Sequence, residues 1–309
     1  MDISVIIPVY NEELNLPALF ARLTEVMQKL GRSYELLFIN DGSRDRSIEL
    51  IRDLADKHPE VRFIDLSRNF GHQIAVSAGI DYVSGDAVCI IDADLQDPPE
   101  LIIDLYHKMR NEGYEVVYAR RARRLGESIF KLWTAKMFYR ILSNITTVPI
   151  PVDTGDFRII DRSIVEVLRQ MPEKDKYIRG QISWIGFRQT YVEYERHERN
   201  AGETGYTLRK MFRLALDGIT GFSNFPLRLV TIFGFLVSVI AFLVALYALH
   251  ARFFTEHYVS GWTSLIIAVL FTGGVQLLSL GIIGEYLARV NSNVRNRPLY
   301  VVRQTNVPK

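Results

Sequence analysis

The stretch Ala87-Val88-Cys89-Ile90-Ile91-Asp92-Ala93-Asp94-Leu95-Gln96-Asp97-Pro98-Pro99 decides the fold class. It begins as an unbroken apolar run of strand length and ends abruptly in carboxylates and prolines. A strand with no polar face belongs inside a sheet that is covered on both sides. Working outward, the same design recurs: Ile3–Val9, Tyr34–Ile39, Val61–Leu66 and Glu115–Ala119 read as further strands. Between them Leu16–Leu30, Asp45–Lys57, Gln73–Val83 and Leu101–Asn111 carry helical periodicity. Strict alternation of strand and helix predicts an α/β fold, Rossmann-like, with a mainly parallel sheet.

In such sheets ligands bind beyond the carboxyl ends of the strands. The residues there are polar: Tyr10-Asn11-Glu12 after the first strand, Asn40-Asp41-Gly42-Ser43 after the second, Ser67-Arg68-Asn69 after the third, and Asp92 to Gln96 after the fourth. Asp92 and Asp94 stand close enough to share a divalent cation, and oxygen-only ligands favour Mg²⁺ or Mn²⁺. A nucleotide diphosphate is the natural company for such a cation. Glu12 and Asp41 then accept hydrogen bonds from base and ribose, with Tyr10 packed on the base, although Asp41-Gly42-Ser43 also suits an ordinary turn. Asp97 before Pro98-Pro99 reads as a helix cap. Neither a G-x-G-x-x-G turn nor a phosphate loop of Walker type is present, which argues against a dinucleotide oxidoreductase or a P-loop ATPase.

Charge changes sharply along the chain. Although 23% of residues are charged, Leu229–Leu249 and Thr263–Ile283 contain none. Each run is long enough to span a bilayer, which takes about 20 apolar residues, so 225–290 reads as a transmembrane hairpin between a catalytic domain over 1–224 and a tail over 291–309. Arg209, Lys210, Arg213 and Arg228 precede the first span and Arg289, Arg295, Arg297 and Arg303 follow the second, while the intervening loop from Ala251 to Trp262 carries only Arg252. Positive residues stay inside, which places the domain and both termini in the cytoplasm, on a multi-pass protein of the cell (inner) membrane. Met1-Asp2 leads straight into an apolar run unlike a secretory signal. Segments 126–145 and 206–222 read as amphipathic helices at the membrane interface. Gly273, Gly274, Gly281 and Gly284 permit close helix contact, hence a homo-oligomer. Cys89, the single cysteine, reads as a core residue, and a net charge of +2 gives no reason to expect a nucleic-acid partner.

Val5-Ile6-Ile7-Pro8-Val9-Tyr10-Asn11-Glu12, Asn40-Asp41-Gly42-Ser43, Asp92 to Pro99 and Asp153-Thr154-Gly155-Asp156-Phe157-Arg158 together resemble the family 2 glycosyltransferases of GT-A fold. Within that family the chain is most similar to the polyprenyl-phosphate glycosyltransferases. The hairpin and Gly281-Ile282-Ile283-Gly284-Glu285-Tyr286-Leu287 extend the likeness nearly end to end. The resemblance implies that Pro8, Tyr10, Glu12, Asp41 and Asp92 hold the nucleotide-sugar, that Asp92, Asp94 and Gln96 surround the metal and diphosphate, and that Asp156 is the catalytic carboxylate. It places Arg120, Arg124, Ser128 and Arg199 on the acceptor phosphate; attraction of anionic lipid is the other reading of the arginine cluster. Two positions depart from the family pattern. Asn40 stands where aspartate is usual, and Gly205 where a lysine usually precedes Tyr206.

The implied activity is inverting transfer of a hexose, by resemblance glucose from UDP-glucose, to a polyprenyl phosphate such as undecaprenyl phosphate, for cell-surface glycan modification. A phosphate monoester has a second pKa of about 6, so the acceptor arrives largely ionised and a strong base is scarcely needed; Asp156 stands either as the base or as a group that positions the nucleophile or a sugar hydroxyl, or stabilises positive charge developing at the anomeric carbon. A processive polysaccharide synthase would carry Gln-x-x-Arg-Trp, and the nearest string, Gln181-Ile182-Ser183-Trp184, lacks the arginine. A non-catalytic nucleotide-binding membrane protein is the other alternative, and Asp92, Asp94 and Asp156 together speak against it.

Overall fold

The computed structural model describes residues 1–121, 154–194, 225–254 and 262–307. Their strands are β1 (Ile3–Val9), β2 (Tyr34–Asn40), β3 (Val61–Leu66), β4 (Ala87–Ile90), β5 (Val116–Arg121), β6 (Thr154–Asp161), β7 (Gln189–Tyr194) and β8 (Val302–Thr305). The helices are α1 (Leu16–Leu30), α2 (Ser47–Lys57), α3 (His72–Tyr82), α4 (Leu101–Glu112), α5 (Arg162–Gln170), α6 (Ile178–Ile185), α7 (Phe225–Phe254) and α8 (Trp262–Val294). The expected helices at 126–145 and 206–222 lie outside the described residues, as do Arg124, Ser128 and Arg199.

The strands form one sheet in the order β7-β5-β6-β4-β1-β2-β3-β8. β1 to β4 run parallel, as the alternation of elements predicts. The sheet is mainly parallel, as expected, with two exceptions: β6 enters antiparallel between β4 and β5, and β8 lies antiparallel along β3. Successive side chains of a strand point to opposite faces, so Ile3, Val5, Ile7 and Val9 of β1 pack under α1, α2 and α4, while Ile6 joins the layer under α3, α5 and α6. Contact with the α3 layer is close: a Cβ on Gly79 would stand 2.5 Å from Cγ2 of Ile6. Pro8 is tolerated in a central strand because the pairing of β1 with β4 ends at Ile6 opposite Ile90.

The segment expected as a tail returns to the sheet. β3 would otherwise expose an unpaired edge, and residues 302–305 cover it. The chain thus divides into two compact units, a sheet unit that includes Arg297–Lys309 and a helical unit that holds α7 and α8. In the helical unit Phe271–Val294 is long and apolar enough to cross a membrane, and Val230–Val244 is a shorter apolar stretch. α7 and α8 touch each other, yet Phe235, Phe242, Leu277 and Leu278 remain largely exposed.

Candidate active site

Because β6 runs against β4, its amino-terminal residues lie at the carboxyl edge of the parallel strands. Arg158 pairs with Ile90. Two residues beyond Ile90 stands Asp92, and two before Arg158 stands Asp156. Residues separated by two share a face of a strand, so Asp156 and Arg158 project together.

Four side chains converge on Asp156, which is 16% exposed. Its Oδ1 accepts from Nε of Arg179 at 2.9 Å and from Nη2 of Arg158 at 3.3 Å. Its Oδ2 lies 3.2 Å from Nε2 of His72 and 3.5 Å from Nε2 of Gln73. His72 also reaches Oδ1 of Asp92 at 3.6 Å. Burial alone would raise the pKa of Asp156, but the charges of Arg179, His72 and Arg158 outweigh it and hold the carboxyl well below the usual 3.8. Burial likewise opposes charge on His72, and the hydrogen bond to Asp156 with the charges of Asp92 and Asp156 carries it from 6.5 to about 9. The centre is therefore a carboxylate clasped by cations.

Asp92 is in the opposite condition. Burial, reinforced by Asp156, Asp94 and Asp97 against His72, pushes its carboxyl up to about 6, and its buried Oδ1 has no hydrogen-bond partner. Leu95 adopts φ +58, a conformation rare outside glycine and found where function over-determines the backbone. That turn lets Oδ1 of Asp94 accept from the amide of Gln96. Among the described residues no three His, Cys, Asp or Glu side chains gather into a ready metal cage. An orphaned carboxylate oxygen beside a second carboxylate still fits Mg²⁺ or Mn²⁺, which take one or two carboxylates and complete their shell with substrate phosphates. Asp97 is not the cap of α4; the N-cap is Glu100, and Asp97 accepts the hydroxyl of Tyr194.

Of the remaining expected residues, those that are described are Pro8, Tyr10, Glu12, Asp41 and Arg120. Tyr10 is 43% exposed and Pro8 is buried within β1. Glu12 accepts from Nδ2 of Asn15 at 2.6 Å, and its amide donates to Oγ of Ser47. Asn11, at φ +58, ties the first loop to the second through Ser43 and Arg44. Asp41 is buried, which raises its pKa, and both its oxygens accept backbone amides, from Phe70 and Gly71 at 2.7 and 2.9 Å. It thereby holds the loop that leads to His72. Asn40, in the place usual for aspartate, donates to Asp65 at 2.7 Å. Arg120 ends near Glu193 (2.8 Å) and over the ring of Tyr191 (4.0 Å).

His72, Gln73, Arg158 and Arg179 were absent from the sequence expectations. The spacing Asp156-x-Arg158 was a usable signal for one of them, and the first turn of the helix after β3 for two more. Only the tertiary fold brings Arg179 to Asp156.

The model of the family described as "Glycosyl transferase family 2" matches residues 4–169. The "Uncharacterized glycosyltransferase YkcC" of Bacillus subtilis (strain 168) is 52% identical over 302 residues, 98% of this chain and 93% of its own length. The "SfII prophage-derived bactoprenol glucosyl transferase" of Shigella flexneri is 40% identical, over 99% of each chain. Among solved structures, a glucosyl-3-phosphoglycerate synthase from Mycobacterium tuberculosis in complex with Mn²⁺, UDP-glucose and phosphoglyceric acid is 19% identical. It aligns with a TM-score of 0.47 over 71% of this chain and 77% of its own.

Proposed function

The chain belongs to glycosyl transferase family 2, and we propose that it moves a hexose from a nucleotide-sugar onto a polyprenyl phosphate with inversion, most simply glucose from UDP-glucose onto undecaprenyl phosphate. The observation that carries this reading is the meeting of the Asp92-x-Asp94 pair with an ionised Asp156 surrounded by His72, Arg158 and Arg179 at one sheet edge. The acceptor class rests on relatives named for bactoprenol glucosyl transfer.

Tyr10, Glu12 and the Asp41 loop receive the nucleoside, with Pro8 shaping the strand beneath. Asp92 and Asp94, with Gln96, would hold a divalent cation, which would supply positive charge towards the diphosphate as it leaves. A lone pair of the acceptor phosphate forms the bond to the anomeric carbon as the bond to the diphosphate oxygen breaks, and that electron pair leaves with the nucleotide. A phosphate monoester is largely dianionic near pH 7, its second pKa being about 6, so the step requires no base. Asp156 would make a weak one, because Arg179, His72 and Arg158 hold its carboxyl well below the usual range and so lower its proton affinity. Its work is to fix those cations relative to the reacting atoms. The acceptor phosphate is assigned to Arg120, Arg124, Ser128 and Arg199 on the family resemblance alone.

α7 and α8 form a membrane hairpin, with spans near 229–249 and 263–283, a cytoplasmic sheet unit, and interfacial helices at 126–145 and 206–222. Support comes from chain topology: β8 follows α8 yet pairs with β3, which precedes α7. One crossing alone would put two paired strands on opposite sides of a bilayer. The exposed faces of both helices also suit lipid better than water. Among the described residues a Cβ at Gly273, Gly274, Gly281 or Gly284 would meet nothing within 4 Å, and a helix of a second copy is the use we propose for these small residues.

The test is transfer from a panel of labelled nucleotide-sugars to undecaprenyl phosphate by purified protein with Mn²⁺ or Mg²⁺, set beside Asp94→Ala and Asp156→Asn. A labelled lipid made by wild type and lost in both variants is expected. Absence of product with every donor and polyprenyl acceptor overturns the reading.

A further inference from the structure

The strand that closes the sheet is irregular at one residue. β8 sets Thr305 against Ile64 and Gln304 against Asp65, yet Leu66, the next residue of β3, faces Val302, so Arg303 is one residue more than the ladder holds. A bulge of this kind bends its strand and re-aims a side chain, and bulges gather at sheet edges and beside functional sites. The side chain re-aimed here is a guanidinium. Its Nη2 donates to the carbonyl of Ser67 at 2.7 Å. The amide of Ser67 donates to the carbonyl of Val301 at 2.9 Å. Both backbone polar groups of the first residue beyond β3 are thus held from residues 301–303.

Ser67 opens the loop that leads to His72. Further along it, the amides of Phe70 and Gly71 donate to the carboxylate of Asp41. On the other side Gly42 lies so close to the backbone of Arg68 and Asn69 that a Cβ would stand 2.5 Å from either. Loop 67–71 and the Asp41 loop are therefore in contact without slack. A second route runs through the sheet. Asp65, 1% exposed, accepts from Asn40, the residue before Asp41, at 2.7 Å on Oδ1. Its Oδ2 has no hydrogen-bond partner among the described residues and faces Nη2 of Arg52 at 3.5 Å and Nη1 of Arg303 at 3.8 Å. A buried carboxylate requires such opposite charge.

We propose that Arg303 is a positioning residue for the nucleotide-sugar, fixing loop 67–71 from the chain beyond the two long helices and, through it, the Asp41 loop that receives the nucleoside. Loops ordered in advance spend no binding energy on ordering when the ligand arrives. The inference rests on the Asp41 loop being part of the donor site.

The experiment compares full-length wild type, Arg303→Ala, Arg303→Lys and, as a control further along the same edge, Asn306→Ala. Thermal melts rank their stability. Calorimetric titration with UDP and Mn²⁺ gives donor affinity, competition by uridine gives that of the nucleoside alone, and steady-state transfer gives the KM of each substrate. The guanidinium is 61% exposed, so water weakens the bond that is lost, and Arg303→Ala should bind UDP about three- to tenfold less tightly. Uridine should weaken by the same factor, while the acceptor KM and the UDP affinity of Asn306→Ala should each stay within about twofold of wild type, as expected of sites outside the lost contact. Arg303→Lys, whose ammonium still donates to Ser67, should recover part of the loss. Unchanged UDP affinity in Arg303→Ala overturns the proposal. An equal loss in Asn306→Ala overturns it too, making Arg303 a fastener of β8 and nothing more. A loss for UDP without one for uridine makes Arg303 a phosphate ligand, which also overturns it. A wild type that binds no nucleoside diphosphate defeats the donor reading itself, an outcome seen before any variant is compared.

Discussion

Nε2 of His72 stands 3.2 Å from Asp156 and 3.6 Å from Asp92, so one imidazole bridges the two carboxylates that arrive from β6 and from the end of β4. Its pKa rises from 6.5 to about 9 on folding. A raised cationic pKa adds stability that is complete below the unfolded value and is lost as pH climbs through the folded one. In EDTA, wild type should therefore lose melting temperature between pH 6.5 and 9 more steeply than His72→Gln does. Parallel curves for the two proteins would remove the bridge from the account.

Asp156 titrates far below neutrality, held there by Arg179, His72 and Arg158 against its burial. Substitution by asparagine keeps the shape and removes the charge that orders three cations. Misplacement of catalytic groups by even an ångström costs on the order of a hundredfold, and a loss of that size is expected in Asp156→Asn. The ratio of mutant to wild-type rate should stay level from pH 6 to 8. A ratio that climbs towards one at the acid end would show that Asp156 takes up a proton in this range, and would restore it as a base.

Asp92 has the opposite linkage. Its carboxyl, pushed up to about 6 by burial first and by its acidic neighbours second, ionises at a cost to the folded state that grows as pH rises from 3.8 through 6. A divalent cation offsets that cost and must compete with the proton. Mn²⁺ with UDP should raise the melting temperature at pH 7, do so only weakly at pH 5, and do nothing in Asp92→Asn. Equal stabilisation at both pH values would place the cation elsewhere.

The parallel half of the sheet was legible because its punctuation is local. Pro17 and Gly31 bracket α1 at the expected residues, and the alternation of apolar strand and amphipathic helix holds from Ile3 to Glu112. β6 and β8 were not legible. Asp156 and Arg158 put charge into the middle of β6, and the polar Arg303-Gln304-Thr305 of β8 reads as tail. What makes both of them strands is pairing with distant partners, which no local pattern encodes. The site followed the same division. Asp92 and Asp94 were visible as carboxylates ending a buried strand, whereas the clasp around Asp156 draws on β6, α3 and α6, far apart in the chain.

Gly42 tests the second loop. It sits at φ +65, and a Cβ there would stand 2.5 Å from the carbonyl carbon of Arg68 and from the amide of Asn69. The loop it touches is the one that Asp41 pins through Phe70 and Gly71 and that delivers His72. Backbone strain of this kind costs roughly 1–3 kcal/mol, and the backbone of 68–69 must also shift. Gly42→Ala should lower the melting temperature and weaken UDP binding together, as read by titration calorimetry. Unchanged UDP affinity in a destabilised protein would separate this loop from the donor site.

Asn306 finishes what β8 begins. Its Oδ1 accepts the amide of Phe63 at 2.7 Å and its Nδ2 donates to the carbonyl of Val61 at 3.2 Å, so a side chain continues the ladder along β3 after the strand itself has ended. Asn306→Ala leaves that amide and carbonyl without their partner, and an unsatisfied buried group costs about 1–3 kcal/mol. Asn306→Asp restores the acceptor alone, so its melting temperature should fall between those of wild type and the alanine variant. The edge matters beyond stability, because an uncovered strand invites pairing with another chain. The alanine variant should therefore aggregate faster than wild type at equal concentration, by light scattering, when warmed to just below its transition. Matching melting temperatures for all three proteins would mean that water serves the end of β3 as well as Asn306 does.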